Sequence, residues 1–400
     1  MKESNVKLFL NTQEKLFPLW DMESIIRILS DHLARRTSSA PVNLNWDALF
    51  DLSEQHQVSG VVYVQCKNPL FRQAYYGAIA GYLKRKEALA LVEKALRDNG
   101  IDFFLVKGPV VAECYPVPAL RTMGDVDVVV HPEDRERVRD ILFELGFTTD
   151  GVMGRFEWHF YYGNLLFELH DRLVYDQVAN VDIHKAFFNG CWKYVKDGAI
   201  DPSFHFLFLL LHLRKHFINM GVGFRQFMDV AVMERENLNW PWIEGKLREL
   251  ELWAFSEKVF ALNEAWFGIT PPLGIEAVEQ CFIEKATELI LSNGVFGFDN
   301  EENQNNIAVN IVKSEGSGFI TRSRRVLHVV FYPYSEMIMM PQYSYLKNRK
   351  VLLPFAWVHR AVRAAYLRRA DKTMKSIMQQ AFVSDDVVEQ RSKMLEKWGL

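Results

Sequence analysis

Cysteine is scarce in this chain and widely scattered. The four present, Cys66, Cys114, Cys191 and Cys281, include no short-range pair, which excludes a zinc ligand set or a redox CxxC and fits a reduced cytosol. Long apolar runs are missing too. The most hydrophobic stretch, residues 204–211, is far too short to cross a bilayer and is followed by His212, Arg214 and Lys215, so it predicts a buried helix. The N-terminus (Met1-Lys2-Glu3-Ser4-Asn5) opens on mixed polar and apolar sequence without the continuous apolar stretch of a secretory signal. A cytoplasmic protein without membrane insertion is the expectation. There is no internal repeat and no global excess of one charge. A formal net charge of −3 excludes the overall basic field of a non-specific nucleic-acid binder, so any such contact needs a local patch.

What is present suits a folded, multidomain chain. Of 400 residues, 49% are hydrophobic and 24% charged, enough to bury a substantial core beneath a solvated surface, and the length suggests two or three packed domains. Apolar positions from about 16 to 94 carry helical spacing, with Asn45 and Asp47 as caps before Leu49, Leu52 and Val58. After Asn99-Gly100 the texture changes. Residues 101–106 read as a buried strand, 126–130 as the clearest strand in the chain, and 134–146 as an amphipathic helix ending at a glycine. A further strand is expected over 164–170 and a short one at 181–184; beyond Pro202 the pattern is helical. The expected division is 1–95 helical, 96–200 core, 201–298 helical, 299–318 a flexible Asn-, Gly- and Ser-rich connection, and 319–400 a basic helical region. Within it, residues 321–375 hold twelve Lys or Arg against two acids, Glu336 and Asp371.

Asp125 and Asp127 stand one residue apart at the start of a strand, so their side chains point to the same face. Two converging carboxylates are what Mg²⁺ needs, because magnesium prefers oxygen ligands and bridges to substrate phosphates; Mn²⁺ is the alternative ion. Lys107-Gly108 ends the preceding strand where a triphosphate can approach, and Arg121 lies just upstream of the carboxylates to balance phosphate charge. Two acids compete for the place of third carboxylate: Glu168 in Phe167-Glu168-Leu169-His170, and Asp182 in Val181-Asp182-Ile183-His184. In each, alternation puts the acid and its histidine on one strand face. The longer strand-like run after Gly163 favours Glu168.

The series Leu105-Val106-Lys107-Gly108, Tyr115-Pro116, Leu120-Arg121, Gly124-Asp125-Val126-Asp127-Val128-Val129-Val130 and Phe167-Glu168-Leu169-His170-Asp171-Arg172-Leu173 resembles the uncharacterised bacterial nucleotidyltransferase family of the DNA polymerase beta superfamily. The resemblance covers about 103–173, and more loosely His212, His216, Arg225 and Asp229. It implies an α+β fold, a small mixed sheet with helices flanked by helical N- and C-terminal regions. It further implies Asp125, Asp127 and Glu168 as metal ligands, with Lys107, Gly108 and Arg121 near the triphosphate. One departure stands out. The wider superfamily has glycine followed by glycine or serine where this chain reads Lys107-Gly108-Pro109, and proline removes a backbone donor from the phosphate loop. Lys107 itself, as a point charge on phosphate, is the expected substitute.

His205, His212 and His216 fall on one helical face, but without the glutamate of HExxH they read as packing or cavity-lining residues before they read as zinc ligands. Arg225 and Asp229, four apart, read as an ion pair. In the basic tract, Arg324-Arg325, Lys347, Arg349, Lys350, Arg360, Arg363 and Arg368-Arg369 interleave with Tyr343, Tyr345, Trp357 and Tyr366, a mixture that can track RNA phosphates while aromatics stack. A solvated helical surface is the simpler reading, and the tract is not one clean amphipathic stretch of the membrane-surface kind. The expected activity is Mg²⁺-dependent transfer of an NMP group from an NTP to an acceptor hydroxyl, with release of pyrophosphate. The acceptor is a small molecule, a protein or RNA. The alternative is a catalytically weak module that keeps the fold to bind nucleotide or RNA.

Overall fold

The computed structural model describes residues 19–38, 44–149, 157–175, 180–219, 221–271, 273–294, 331–338, 340–366 and 385–400. Three helices, α1 (Leu19–Leu33), α2 (Trp46–Gln55) and α3 (Ser59–Cys66), lead into the long α4 (Arg72–Asp98). Asn45 caps α2 by accepting the Ala48 N–H at 3.2 Å, satisfying a donor that the helix start leaves without an intrahelical partner. The α/β core follows as β1 (Phe103–Val106), α5 (Gly108–Ala112), β2 (Asp125–Val130), α6 (Arg135–Glu144), β3 (Glu157–Tyr162) and β4 (Leu165–His170). Next come α7 (Asp182–Phe188), a small ribbon of β5 (Val195–Lys196) and β6 (Ala199–Ile200), and the helices α8 (Pro202–Asn219), α9 (Phe224–Met233), α10 (Trp240–Glu249), α11 (Trp253–Phe267) and α12 (Gln280–Asn293). The C-terminal part holds α13 (Tyr334–Met337), α14 (Leu353–Tyr366) and α15 (Asp385–Lys397). Helices around one small mixed sheet make this the expected α+β fold.

The four-stranded sheet has the order β1-β2-β4-β3, with β2 antiparallel to β1 and parallel to β4, and β3 antiparallel to β4. Strand alternation sorts its side chains onto two faces. One buries Val126, Val128 and Val130 of β2, Phe167 and Leu169 of β4 and Trp158 and Phe160 of β3 against Ala88 and Val92 of α4 and Val138 and Leu142 of α6. Burial of each such large side chain stabilises by roughly 1.5–3 kcal/mol, so a one-residue slip of β2, which would exchange the faces, is strongly disfavoured. The opposite face therefore carries Asp125, Asp127, Glu168 and His170. A second, larger core joins α1–α3 to α8–α12 and takes in Phe104, Val106 and Val129 from that opposite face.

Two sequence expectations change. Strand β3 was not anticipated, although Glu157-Trp158-His159-Phe160 alternates polar with buried apolar residues. Residues 181–184, expected as a strand, begin helix α7, because His184 is drawn into the interior and donates through Nε2 to the Leu250 carbonyl at 2.8 Å. The connection expected at 299–318 lies outside the described residues, as do Arg324-Arg325 and Arg368-Arg369.

Candidate active site

Register places one row of residues straight across the sheet: Val106 on β1 opposite Asp127 on β2, Asp127 beside Glu168 on β4, and Glu168 opposite His159 on β3. Asp127 is fully buried and Glu168 half-buried. His170, two positions beyond Glu168, donates through Nε2 to Asp127 Oδ1 at 2.9 Å and lies 3.5 Å from Glu168 Oε2. Ligand-type atoms of Asp127, Glu168 and His170 all fall within 4.8 Å of one another, and Glu157, His159 and Glu168 form a second such group. Glu168 belongs to both.

Lys107 closes the site from the end of β1. Its backbone takes φ 55°, ψ −120°, a region a side chain seldom enters and that costs on the order of 1–3 kcal/mol. Two contacts hold it there. Its N–H donates to His205 Nε2 at 2.8 Å, and its ammonium stands 2.5 Å from Asp127 Oδ1. Burial alone would raise the Asp127 pKa, but Lys107 and His170 overcome it and hold the carboxyl well below its usual range. The Lys107 ammonium, disfavoured by burial, is in turn stabilised by Asp127 and Asp125 and shifted upward. Asp127 Oδ2 is buried with no hydrogen-bond partner, an orphaned acceptor that an intramolecular account leaves unexplained. An oxygen-seeking cation would satisfy it, and the donor set fits a hard divalent ion.

Asp125 sits half-buried on the same face, one pleat toward the start of β2. Burial and the neighbouring Asp127 raise its pKa. It belongs to neither ligand group among the described residues, whereas Asp127 belongs to one of them.

A cavity of about 380 Å³ opens over these residues, lined also by Arg172, Tyr175, His212, Lys215, His216, Arg225 and Asp229. His212 and His216 meet edge to face with ring centroids 4.3 Å apart. Burial lowers both pKa values, to about 3 for His216, so they present neutral rings. Burial likewise lowers His205 to about 4. None of the three belongs to a ligand group among the described residues, and the zinc reading has no support. Lys215, absent from the sequence candidates, lies with them on α8, and burial together with the Lys107 charge lowers its pKa. An incoming anion would stabilise its charged form. The helical spacing His212, Lys215, His216 was the signal that could have found it.

Arg121, expected near the triphosphate, has a partner inside the protein. It lines the cavity, but its guanidinium is committed to Asp229 through Nε at 3.1 Å and Nη2 at 2.6 Å, and Tyr115 donates to the same carboxylate at 2.7 Å. Both ion-pair partners are nearly buried. The charge expected to meet phosphate is neutralised inside the protein. Gly108 lies against this clamp: a Cβ there would meet Arg121 Nη1 at 2.8 Å. Asp229 thus has a bidentate partner distant in sequence, while Arg225 donates to Gln57 Oε1 at 2.5 Å and to the Thr122 carbonyl at 3.0 Å. Asp182, the rival third carboxylate, is exposed and pairs with Lys185 at 2.6 Å.

The family model described as uncharacterised nucleotidyltransferase matches residues 43–268, which include the whole sheet and every cavity residue named above. No curated protein and no solved structure matches the chain.

Proposed function

The chain belongs to the uncharacterised nucleotidyltransferase family, and from that premise we propose that it is a Mg²⁺- or Mn²⁺-dependent enzyme that moves an NMP group from an NTP to an acceptor hydroxyl and releases pyrophosphate. The observation that carries the proposal is the register pairing of buried Asp127 with half-buried Glu168 on adjacent parallel strands, with Asp127 Oδ2 unpartnered and a cavity of about 380 Å³ over them, within the range of small-ligand sites. The transferase core is assigned to residues 96–200.

Asp127 and Glu168, with Asp125 outside them, would hold the ion, which when bound supplies charge neutralisation and polarisation of phosphoryl oxygens. The chain's own residues do the rest. His170 fixes Asp127 through Oδ1 and leaves Oδ2 for the ion. Lys107 and Lys215 flank the carboxylates and would meet the triphosphate, taking the part expected of Arg121. Glu168 can accept the proton of the acceptor hydroxyl as that oxygen attacks the α-phosphorus and pyrophosphate leaves. The Arg121–Asp229–Tyr115 clamp positions Gly108 and the loop that carries Lys107. Rate enhancement in this scheme comes from positioning and charge, as phosphoryl chemistry generally requires.

A second reading, a catalytically weak nucleotide- or RNA-binding module, is favoured by one feature: the Lys107 ammonium already neutralises Asp127, and Pro109 offers no N–H. An NTP scan in Mg²⁺ and Mn²⁺ against small-molecule, RNA and protein acceptors separates the two. Pyrophosphate release or labelling of an acceptor supports the enzyme. NTP binding without turnover across the whole panel supports the module.

A further inference from the structure

Helix α14 presents its apolar stripe outward. Its inner face is already engaged: Ala356 is buried with Met337, Tyr343 and Leu346 in a small separate cluster, Trp357 Nε1 donates to the Tyr332 carbonyl at 2.8 Å, and the Arg360 guanidinium lies over the Tyr332 ring at 4.0 Å. On the outer face Phe355 is 63%, Val358 61% and Val362 62% exposed, and Val351 just before the helix is 87% exposed. Among the described residues these are the four most exposed large hydrophobic side chains. Their spacings of four, three and four residues align them as one stripe, so a single apolar ridge faces outward where a solvated helix would carry charge.

Among the described residues 347–366, the charge beside the ridge is all of one sign. Lys347, Arg349 and Lys350 are exposed where the chain enters the helix, and α14 contains Arg360 and Arg363 and no acid. The helix has 14 residues, so it extends roughly 21 Å, less than the ~30 Å hydrocarbon layer, and none of the described helices is long and apolar enough to cross a membrane.

We infer that α14 is an interfacial helix that rests the protein on an anionic lipid surface, with Phe355, Val358 and Val362 entering the boundary between headgroups and acyl chains and Lys347, Arg349 and Lys350 meeting lipid phosphates. A convex apolar ridge flanked by cations matches that surface in both its layers. RNA matches the cations and one ring, Phe355. Of the other aromatics that would stack on bases, Tyr343 is buried, Trp357 is tied to the Tyr332 carbonyl and Tyr345 is bonded to His359, while Val351, Val358 and Val362 would stay wet. This assignment stands apart from the transferase site and does not depend on it.

The test is sedimentation of the full chain with vesicles of phosphatidylcholine containing phosphatidylglycerol, against phosphatidylcholine alone. The parent binds the anionic vesicles preferentially. The double variant Val358→Glu/Val362→Glu loses about tenfold or more in vesicle affinity with an unchanged melting temperature, because both side chains are exposed. Lys347→Glu/Arg349→Glu reduces the preference for phosphatidylglycerol. The inference is overturned if the parent does not sediment, if the valine variant sediments as the parent does, or if RNA binds the tract in place of lipid and displaces the protein from vesicles.

Discussion

The Lys107 ammonium lies 2.5 Å from Asp127 Oδ1, with Lys107 one residue past the end of β1 and Asp127 inside β2. The lysine thereby supplies, from within the chain, the positive charge that a buried carboxylate needs, and it does so from a backbone conformation of positive φ. Removing one partner of a buried ion pair costs about 3–5 kcal/mol. Lys107→Met should accordingly lower stability by about 3 kcal/mol, although the sequence alone suggested a role in phosphate affinity rather than in folding. Because Mg²⁺ can take over the neutralising charge, the Mg²⁺-dependent rise in melting temperature should be larger in Lys107→Met than in the parent. Equal rises in the two proteins would mean that lysine and metal do not share Asp127.

Arg121→Ala should behave as a folding variant. It strands Asp229 in the interior with only Tyr115 and nearby Arg225 to offset the charge, and a loss of about 3–5 kcal/mol is expected in urea unfolding. Full stability combined with lost NTP affinity would return Arg121 to the phosphate site.

The third carboxylate gives a paired prediction. Glu168→Gln removes a candidate ligand beside Asp127 and should lower turnover by about 10²-fold or more, while Asp182→Asn, on an exposed helix start, should leave turnover unchanged. A folded Asp182→Asn that is inactive, beside an active Glu168→Gln, would reverse the assignment.

Buried histidines contribute to the acid limit, His56 and His205 among them. His56 accepts the Phe224 N–H on Nδ1 at 3.1 Å and is oriented by the Leu291 carbonyl, and burial lowers its pKa from 6.5 to about 4; His205 is lowered to about 4 as well. The unfolded chain therefore takes up these protons first. Stability is complete above pH 6.5 and falls as pH drops from there toward 4, by about 2 kcal/mol per histidine at pH 5. Urea midpoints measured across that range should decline in the parent and decline less steeply in His56→Asn. Parallel slopes would remove His56 from the account.

How much of this was legible in the sequence depended on whether the signal was local. The strand 126–130 and the pairing of Glu168 with His170 follow from alternation, and burial of Val126, Val128 and Val130 enforces the face on which Asp127 stands. The partner of Arg121 was not legible, since Asp229 lies 108 residues away and only the packing of α9 beneath the core brings them together. Val181-Asp182-Ile183-His184 carried the same local pattern as the true strand. A buried contact between His184 and Leu250, just past the end of distant α10, turned that segment into α7, which no window of a few residues could reveal. The ridge on α14 was hidden differently: its apolar spacing was present, but which face is covered depends on Tyr332 and Tyr343 folding beneath it.

The central claim is that Asp127 anchors metal-dependent nucleotidyl transfer. It is tested most directly by measuring Mg²⁺-dependent pyrophosphate release from NTP, in the presence of the acceptor panel, for the parent and for folded Asp127→Asn side by side. Release by the parent and a loss of about 10²-fold or more in the variant are expected. Release at the parental rate from Asp127→Asn would contradict it.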